Sequence, residues 1–323
     1  MQNMNHQIDM DISVVVPLYN KEEFIGRAIR SIVLQTYQPR EIIVVDDGST
    51  DKSVNVVKSL NVSNLRLVHQ INQGVSSARN NGIHEARYSW VAFLDSDDEW
   101  MPDFLSTVKR LHESFPQQDL YASAYYMGDY SGGKRKIGLK GIMFNGNEGI
   151  LSNYFNVAAL SEPPVCSSTV CIRKQALVDL GGFPLNIKSG EDLLTWARLA
   201  AKLPPAYSTV PLAVFWQEKA HTYDDRPNRV PEAMDPVGKA LLELKKTNGT
   251  IPFIDNYISR WHKMRASVFL RLDMRFSAFK ECVIGIYYRP KNLRLYIYIL
   301  MSLMPNRIVM SLFKRFAGKV SDD

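Results

Sequence analysis

The chain has 323 residues, of which 46% are hydrophobic and 22% charged, and its formal net charge is +6. This composition is typical of a folded globular protein with one large or two smaller domains, and it argues against disorder. The cysteines form neither a CxxC pair nor an even disulfide framework, which favours a reducing compartment and argues against structural zinc: Cys166, Cys171 and Cys282. The first ten residues lack the apolar core of a cleaved signal peptide, so we expect a cytoplasmic protein.

The first hundred residues alternate between strand and helix patterns. Short runs rich in β-branched residues predict strands buried on both faces at residues 12–16, 42–45, 65–68 and 90–94. The stretches between them carry apolar residues at helical spacing, as in Phe24, Ala28 and Ile32. This βαβαβαβ pattern predicts an α/β fold with a mostly parallel sheet flanked by helices, in which ligands bind at the carboxyl ends of the strands.

Polar and acidic residues follow each of the four predicted strands. They are Tyr19 and Asn20, residues 46–51, residues 72–74 and residues 95–98. The last segment places three carboxylates within four positions, and these repel one another unless a cation neutralises them. Hard ions such as Mg2+ or Mn2+ bind carboxylate oxygens and leave positions open for phosphate. The alternative is a solvated turn, because Asp and Ser also favour turns after strands.

The sequence contains no glycine-rich phosphate motif. Neither Gly-x-Gly-x-x-Gly after the first strand nor Gly-x-x-x-x-Gly-Lys occurs, so neither a dinucleotide fingerprint nor a P-loop explains these residues. If a metal in segment 95–98 holds the phosphates, Asp46 and Asp47 are free to accept hydrogen bonds from a base or ribose. The alternative is a turn in which Ser49 or Asp51 caps the next helix, and both interpretations can hold together.

Four segments in the first hundred residues carry a family resemblance. They are Val14-Val15-Val16-Pro17-Leu18-Tyr19-Asn20, Val44-Val45-Asp46-Asp47-Gly48-Ser49-Thr50-Asp51, Asn72-Gln73-Gly74-Val75-Ser76-Ser77-Ala78-Arg79-Asn80 and Phe93-Leu94-Asp95-Ser96-Asp97-Asp98. Their order and spacing resemble the family 2 glycosyltransferases, inverting enzymes of the GT-A fold. The resemblance implies a nucleotide-sugar donor, expected to be a UDP-sugar, and Mn2+ or Mg2+ held by a DxD-type motif.

The resemblance also implies roles for individual residues. It places Asp46 near the base and both Asp95 and Asp97 near the ribose and the metal, and of the acidic segment we predict that Asp97 is the metal ligand. The donor-binding residues it implies are Pro17, Tyr19, Asn20, Asp46, Asp47, Gly74, Arg79, Asp95 and Ser96.

A histidine after a fifth predicted strand, residues 212–216, is a second candidate metal ligand. Members of the family often place a histidine in such a segment, and here it is His221, although the serines expected nearby are absent. An ordinary surface histidine is the alternative. Arg226 and Arg229 are candidate phosphate clamps with the same alternative.

A second acidic motif begins a predicted helix in the acceptor half. Glu191 and Asp192 precede Leu193, Trp196, Ala197 and Ala200, which have the spacing of a buried helix face. The upstream Gly181-Gly182-Phe183 and Ser167-Ser168-Thr169-Val170 also resemble the family. We predict that Asp192 is the general base, kept ionised by the helix dipole. The alternative is a charge–dipole arrangement that only stabilises the helix start.

The C-terminal part is basic. Residues 256–319 contain 13 Lys or Arg against two acids, and residues 256–286 and 292–319 have helical patterns interrupted at Arg289-Pro290 and Pro305. The apolar stretch 295–304 is shorter than the roughly 20 residues of a membrane-spanning helix. We predict a catalytic domain at 1–250, divided into a nucleotide-binding half (1–115) and an acceptor half (116–250), and a helical extension at 251–323.

The basic helices have two interpretations that the sequence leaves open. They suit peripheral contact with an anionic membrane on the inner face of the plasma membrane, and they equally suit packing on the catalytic domain. No nucleic-acid-binding motif is present, so we expect no nucleic acid partner. Acceptors in the resembled family are often lipid-linked sugars, so we expect a saccharide or lipid-linked oligosaccharide acceptor of surface polysaccharide synthesis.

Two other functions use part of the same pattern. A metal-dependent phosphohydrolase would use Asp95 as nucleophile and Asp97 as acid, but its motif is expected on the opening strand rather than the fourth. A noncatalytic carbohydrate- or membrane-binding module would not require both acidic motifs.

Overall fold

The computed structural model describes residues 10–129, 132–217, 227, 229–247 and 249–317, with side chains to residue 314. Its strands are β1 (Ile12–Leu18), β2 (Glu41–Asp46), β3 (Leu65–His69), β4 (Trp90–Phe93), β5 (Glu99–Trp100), β6 (Leu120–Asp129), β7 (Lys134–Lys136), β8 (Glu148–Ile150), β9 (Val170–Arg173) and β10 (Ala206–Gln217). Its helices are α1 (Ile25–Val33), α2 (Ser53–Ser59), α3 (Val75–Glu85), α4 (Phe104–Ser114), α5 (Tyr154–Leu160), α6 (Lys174–Asp179), α7 (Glu191–Lys202), α8 (Pro236–Thr247), α9 (Ile254–Arg271), α10 (Arg275–Tyr288), α11 (Leu293–Ser302) and α12 (Asn306–Ala317).

One mixed sheet organises the described residues in the order β3-β2-β1-β4-β9-β6-β10-β5. The pairs β3–β2, β2–β1, β1–β4 and β6–β10 are parallel, whereas β9 runs antiparallel to both β4 and β6. The predicted α/β fold with a mostly parallel sheet is therefore confirmed. The fifth predicted strand is present but longer than predicted, since β10 begins at Ala206.

The strands β1, β2 and β4 form the buried interior of the sheet. Every residue of β1, β2 and β4 is buried, as expected for strands covered by helices on both faces. The expectation that residues 65–68 are buried on both faces is wrong, because they are only partly buried. The physical reason is that β3 is an edge strand, with β2 as its neighbour on one side only.

Helix α3 packs closely against the central strand β1. A Cβ atom built on Gly82 would lie 2.2 Å from Val15 Cγ1, which is far inside van der Waals contact. The absence of a side chain at this position allows the helix to approach the sheet. The close packing positions the N-terminal end of α3 beside the carboxyl ends of β1 and β2.

The C-terminal part consists of four helices, α9 to α12. The single helical segment predicted at 256–286 is wrong, because α9 ends at Arg271 and α10 begins at Arg275. Between them Asp273 has a left-handed backbone (φ 59°), a conformation that cannot continue an α-helix. Tyr257, Ile258 and Trp261 of α9 belong to the main hydrophobic core, whereas α10 to α12 contribute to smaller clusters.

A buried ionic network attaches α10 to α9. The carboxylate of Glu281 accepts hydrogen bonds from His262 Nδ1 (2.6 Å) and Arg265 Nε (2.9 Å). Arg265 also lies 3.5 Å from Asp235. Burial raises the pKa of Glu281, but its partners outweigh this effect and lower the pKa below the ordinary value. In the described part of the chain, none of the helices combines the length and the hydropathy needed to cross a bilayer.

Candidate active site

The carboxyl ends of β1, β2 and β4 meet at one rim of the sheet. Asp46, the last residue of β2, is buried, and its carboxylate accepts a hydrogen bond from Ser49 N (3.0 Å) and contacts His69 Nδ1 (3.0 Å). The next residue, Asp47, accepts hydrogen bonds from Gln70 Nε2 (2.7 Å) and from the backbone N–H groups of residues 73 and 74 (both 2.8 Å). Asp47 thereby fixes the loop that ends at Gly74, where φ is +87° and α3 begins.

The loop after β1 lies against the loop after β2. Asn20 N donates to Ser49 Oγ (3.1 Å), and Thr50 N donates to Asn20 Oδ1 (2.8 Å). Asn20 has a left-handed backbone (φ 50°), which turns the chain away from the strand. Tyr19 is 46% exposed at the rim, whereas Pro17 is buried within β1.

The three acids after β4 lie in three different environments. Asp98 is buried and accepts hydrogen bonds from Ser168 Oγ (2.5 Å) and Trp216 N (2.9 Å). Burial, reinforced by the neighbouring acids, raises the pKa of Asp98 well above its ordinary value. Asp97 is partly exposed, and its carboxylate lies 2.7 Å from Lys21 Nζ. Asp98 is therefore buried and held by neutral donors, whereas Asp97 is partly exposed and paired with a lysine.

The third acid, Asp95, is joined to the second acidic motif by a buried arginine. Arg79 Nη2 donates to Asp95 Oδ1 (2.7 Å), and its Nη1 lies 3.5 Å from Glu191 Oε1. The Arg79 side chain is only 4% exposed. Burial lowers the pKa of Arg79, but the carboxylates around it outweigh this effect and raise the pKa above the ordinary value. One guanidinium therefore connects residues 95 and 191, which are distant in sequence.

Asp192 lies beside this bridge, in the first turn of α7. Burial and the negative charge of Glu191 raise its pKa to about 7, against an opposing effect of Arg79. The expectation that Asp192 is kept fully ionised is not met at neutral pH, because burial and the like charge of Glu191 favour its protonated form. A carboxyl with a pKa near neutrality can accept a proton from a bound hydroxyl and release it to solvent.

A model of a known protein family matches this chain. The model described as glycosyl transferase family 2 matches residues 13–177, just over half of the chain. This segment contains the rim from β1 to Asp98 and the Ser168 region.

The chain belongs to glycosyl transferase family 2. An uncharacterized glycosyltransferase of Rickettsia felis is 30% identical over 196 residues, which cover 60% of this chain and 31% of the relative. Glycosyltransferase GlyA of Streptococcus pneumoniae is 37% identical over 128 residues, 39% of this chain and 18% of the relative. The aligned part thus spans less than a third of the length of both relatives.

Solved structures show the same fold. S. aureus TarS 1-349 in complex with UDP superposes with a TM-score of 0.65 at 21% identity, covering 95% of this chain and 92% of that chain. Mannosyltransferase PcManGT from Pyrobaculum calidifontis, in complex with GDP-Man and Mn2+, gives a TM-score of 0.56 at 19% identity, covering 95% and 85%. The GT-A fold with a C-terminal helical region is therefore confirmed for this family 2 chain.

The residues at the rim of this family 2 chain fit a divalent cation. Asp95 and Asp97 are partly exposed, with 23% and 27% of their side chains accessible, and both offer hard oxygen donors. Mg2+ and Mn2+ take one or two carboxylates and complete their coordination with substrate phosphates and water. His221 and Arg226 lie outside the described residues, and Arg229 is exposed.

No pattern in the sequence distinguishes several residues of this site from residues elsewhere in the chain. Lys21 follows the Asn20 turn, and Trp216 is the second-last residue of the long strand β10, where its backbone N–H donates to Asp98. Ser168 lies in a run that resembles the family, but its contact with Asp98 depends on the fold. Ser96, in contrast, is one of the predicted donor-binding residues, and it is buried between the two acids Asp95 and Asp97 of the segment after β4.

Proposed function

We propose that this family 2 protein transfers a sugar from a nucleotide-sugar donor, a UDP-sugar, to a saccharide or lipid-linked acceptor with inversion at the anomeric carbon. The observation that carries the proposal is the Arg79 bridge, which holds the donor-side Asp95 and the acceptor-side Glu191 on one guanidinium. Asp192 follows Glu191 directly, and we assign it to the acceptor side of the sugar, with the acids that follow β4 on the donor side. Inversion requires this arrangement, because the acceptor hydroxyl attacks from the face opposite the leaving diphosphate.

In this mechanism Asp192 is the general base. Its ionised carboxylate accepts the proton of the attacking hydroxyl, and its pKa of about 7 matches that task at neutral pH. Arg79 acts through its partners, because it fixes Asp95 and Glu191 and offsets part of their negative charge.

The donor is assigned to the loops that follow β1, β2 and β4. Asp46 and Asp47 shape the base and ribose side of the rim, together with Pro17, Tyr19, Asn20, Gly74 and Ser96. Asp97, with Asp95, would hold Mn2+ or Mg2+, which supplies positive charge for the leaving diphosphate. Two solved neighbours support this assignment, since one is in complex with UDP-GlcNAc and another with GDP-Man and Mn2+.

A panel of nucleotide sugars tests the proposal. We expect UDP and one UDP-sugar, with Mn2+, to raise the midpoint of thermal unfolding more than inorganic phosphate does. With an accepted acceptor, nuclear magnetic resonance of the product should show the opposite anomeric configuration from the donor. Stabilisation by phosphate as strong as by UDP, together with phosphate release, would instead support the phosphohydrolase.

The C-terminal helices suggest where the protein works. Exposed apolar residues repeat at helical spacing on α10, at positions 276, 279, 283 and 287, and on α11, at positions 293, 296, 297 and 300. Phe276 and Tyr287 are 83% and 78% exposed. Between residues 275 and 314 the chain contains seven Lys or Arg and one acid, the buried Glu281. Apolar stripes among basic residues complement an anionic bilayer surface, and we assign them to the inner face of the plasma membrane.

Vesicle binding tests this assignment. We expect the double variant Phe276→Ser/Tyr287→Ser to bind vesicles containing anionic lipid more weakly than the wild type, while UDP binding is retained. Val178→Ser, which changes an exposed apolar residue on α6, is the matched control. Salt should weaken the wild-type interaction without abolishing it, because screening removes only the electrostatic part. Equal vesicle binding by the double variant and the control would exclude the stripes as the anchor.

A further inference from the structure

Each of the two acids assigned to the metal is paired with a cation of the protein itself. Asp95 accepts a hydrogen bond from Arg79 Nη2 (2.7 Å), and Asp97 Oδ2 lies 2.7 Å from Lys21 Nζ. Both cations therefore compete with a metal ion for carboxylate oxygen. How a metal is admitted to this rim depends on which of the two side chains can move.

The two cations differ in their freedom to move. The Arg79 side chain is buried and also lies 3.5 Å from Glu191 Oε1, so moving it would leave buried charges without their partners. The Lys21 side chain, in contrast, is 33% exposed. Its ammonium lies at the end of a flexible four-carbon chain and can turn toward water or toward another anion. Lys21 is therefore the exchangeable cation of the site, and Arg79 is a fixed one.

The backbone of Lys21 is fixed even though its side chain is not. Lys21 N donates to Ser53 Oγ (2.8 Å), and Ser53 is the buried first residue of α2. The carbonyl oxygen of Lys21 accepts hydrogen bonds from Phe24 N (3.0 Å) and Ile25 N (2.9 Å), where α1 begins. Any movement is thus confined to the side chain, and the ammonium stays within reach of the rim.

The backbone of Asp97 is held independently of Lys21. Arg27 of α1 donates through Nη2 to the carbonyl oxygen of Asp97, and its Nε lies 3.6 Å from Glu99 Oε2. The Arg27 guanidinium also lies over the ring of Trp216, 4.6 Å from the ring centroid. The Asp97 carboxylate therefore remains at the rim when the partner of that carboxylate changes.

A diphosphate alters the balance of charge at this rim. Mg2+ and Mn2+ bind one or two carboxylates together with phosphate oxygens, so a donor diphosphate comes to the side of Asp97 where Lys21 lies. A lysine binds phosphate oxygens as a flexible point charge. The ammonium that leaves Asp97 then has a new anion beside it. Without a diphosphate, the same displacement has no such compensation.

We propose that Lys21 is an exchange residue, which holds the Asp97 carboxylate until a metal and a nucleotide diphosphate arrive together, and then releases Asp97 to the metal and binds the diphosphate. The inference rests on the proposed function, because it takes Asp97 as the metal ligand and a nucleotide diphosphate as the donor group. Its consequence is that metal and nucleotide increase each other's affinity, and this coupling is reciprocal. Lys21 thereby disfavours binding of the metal alone.

Mn2+ binding in the absence of nucleotide tests the first half of the exchange. Electron paramagnetic resonance measures it, because the sharp signal of free Mn2+ is lost on binding. We expect Lys21→Met to bind Mn2+ about tenfold more tightly than the wild type, since a competing charge is removed from Asp97. The matched control is Lys58→Met, which removes an exposed charge on α2 and should keep the wild-type affinity. In Lys21→Met/Asp97→Ala the gain should disappear, because it requires the Asp97 carboxylate.

Calorimetric titration of Mn2+-saturated protein with UDP and with uridine tests the second half. UDP should bind Lys21→Met at least about tenfold more weakly than the wild type, as expected for a lost charge-assisted hydrogen bond. Uridine, which has no phosphate, should bind both proteins equally. Opposite effects on Mn2+ and on UDP identify an exchange, because removing a lysine that only repels the metal would tighten Mn2+ binding with and without UDP.

Two sets of results would overturn the proposal. One is an unchanged Mn2+ affinity in Lys21→Met, or a gain that persists in Lys21→Met/Asp97→Ala. The other is UDP binding by Lys21→Met that is as tight as in the wild type or tighter. Metal-dependent UDP binding by the wild type without these Lys21 effects refutes the exchange alone. A wild type that binds Mn2+ but no UDP refutes the proposed function, and with it the diphosphate half of the exchange.

Discussion

Replacing Asp192 by asparagine removes the proposed base while keeping the size of the side chain. Because the pKa of the wild-type carboxyl is about 7, about a tenth of it is ionised at pH 6 and about nine tenths at pH 8. A base acts only when ionised, so wild-type transfer should rise about tenfold between these pH values and level off above pH 8. Asp192→Asn should lower kcat by roughly 100-fold, about 2.7 kcal/mol, and should lose this pH dependence.

The assay is kcat at saturating donor and acceptor between pH 5.5 and 9, with UDP affinity measured in parallel. UDP affinity should be nearly unchanged in Asp192→Asn, because the base contacts the acceptor. Asp179→Asn, which changes an exposed acid at the end of α6, is the matched control and should retain the wild-type profile. If Asp192→Asn had the wild-type kcat, or if its kcat fell toward acidic pH as in the wild type, Asp192 would not be the base.

A second variant tests the cause of the raised pKa. Glu191→Gln removes a negative charge next to Asp192 and frees Arg79, and both effects favour the ionised carboxylate. The acidic limb of the kcat profile should therefore move to lower pH by about one unit. A shift toward higher pH would contradict the electrostatic explanation.

The remaining predictions concern the acids after β4 and the packing of α3. Asp98→Ala leaves the buried hydroxyl of Ser168 and the partly buried N–H of Trp216 unpaired, and it should lower the unfolding free energy in urea by about 2–4 kcal/mol. Asp97→Ala should change the unfolding free energy by less than about 1 kcal/mol. It should weaken UDP binding in the presence of Mn2+, as chelation of the metal should do in the wild type. If Asp97→Ala were the more destabilised variant and Asp98→Ala the one with weaker UDP binding, these assignments would be refuted. Gly82→Ala should lower the unfolding free energy by about 1–3 kcal/mol, because the new Cβ atom overlaps with β1. The control is Gly138→Ala, where a Cβ atom meets nothing within 4 Å, and it should change the unfolding free energy by no more than about 0.5 kcal/mol. Equal stabilities of the two variants would contradict the close packing of α3 on β1.

Local patterns in the sequence predict the sheet and the acidic rim. Apolar runs of strand length, separated by helical periodicity, place β1, β2 and β4 to within two residues of their observed ends. Strand ends in a parallel sheet meet at one edge, so the position of segment 95–98 near residues 20 and 46 follows from the pattern alone. The edge position of β3 cannot be predicted from the pattern, because the order of the strands depends on the face of the sheet over which each helical connection crosses.

The C-terminal helices show where local sequence patterns are insufficient to predict the structure. Helical periodicity runs through residues 256–286 without a proline or glycine between residues 271 and 275, yet the chain turns at Asp273. Trp261, Phe269 and Phe313 are buried in the protein, whereas Tyr296 is exposed on α11. The pattern of aromatic and basic residues is the same in both cases, so only packing distinguishes an interior side chain from a surface one.

The sequence by itself determined the residue types of this protein's site and the strand ends that carry them, because both depend on hydrophobic periodicity within a few tens of residues. The tertiary structure decided what each acid does. Asp98 is buried against Ser168, Asp97 faces the rim beside Lys21, and Arg79 draws Glu191 to Asp95. These differences arise from burial and from charges brought together across long stretches of chain, and such contacts leave no periodic signal in the sequence.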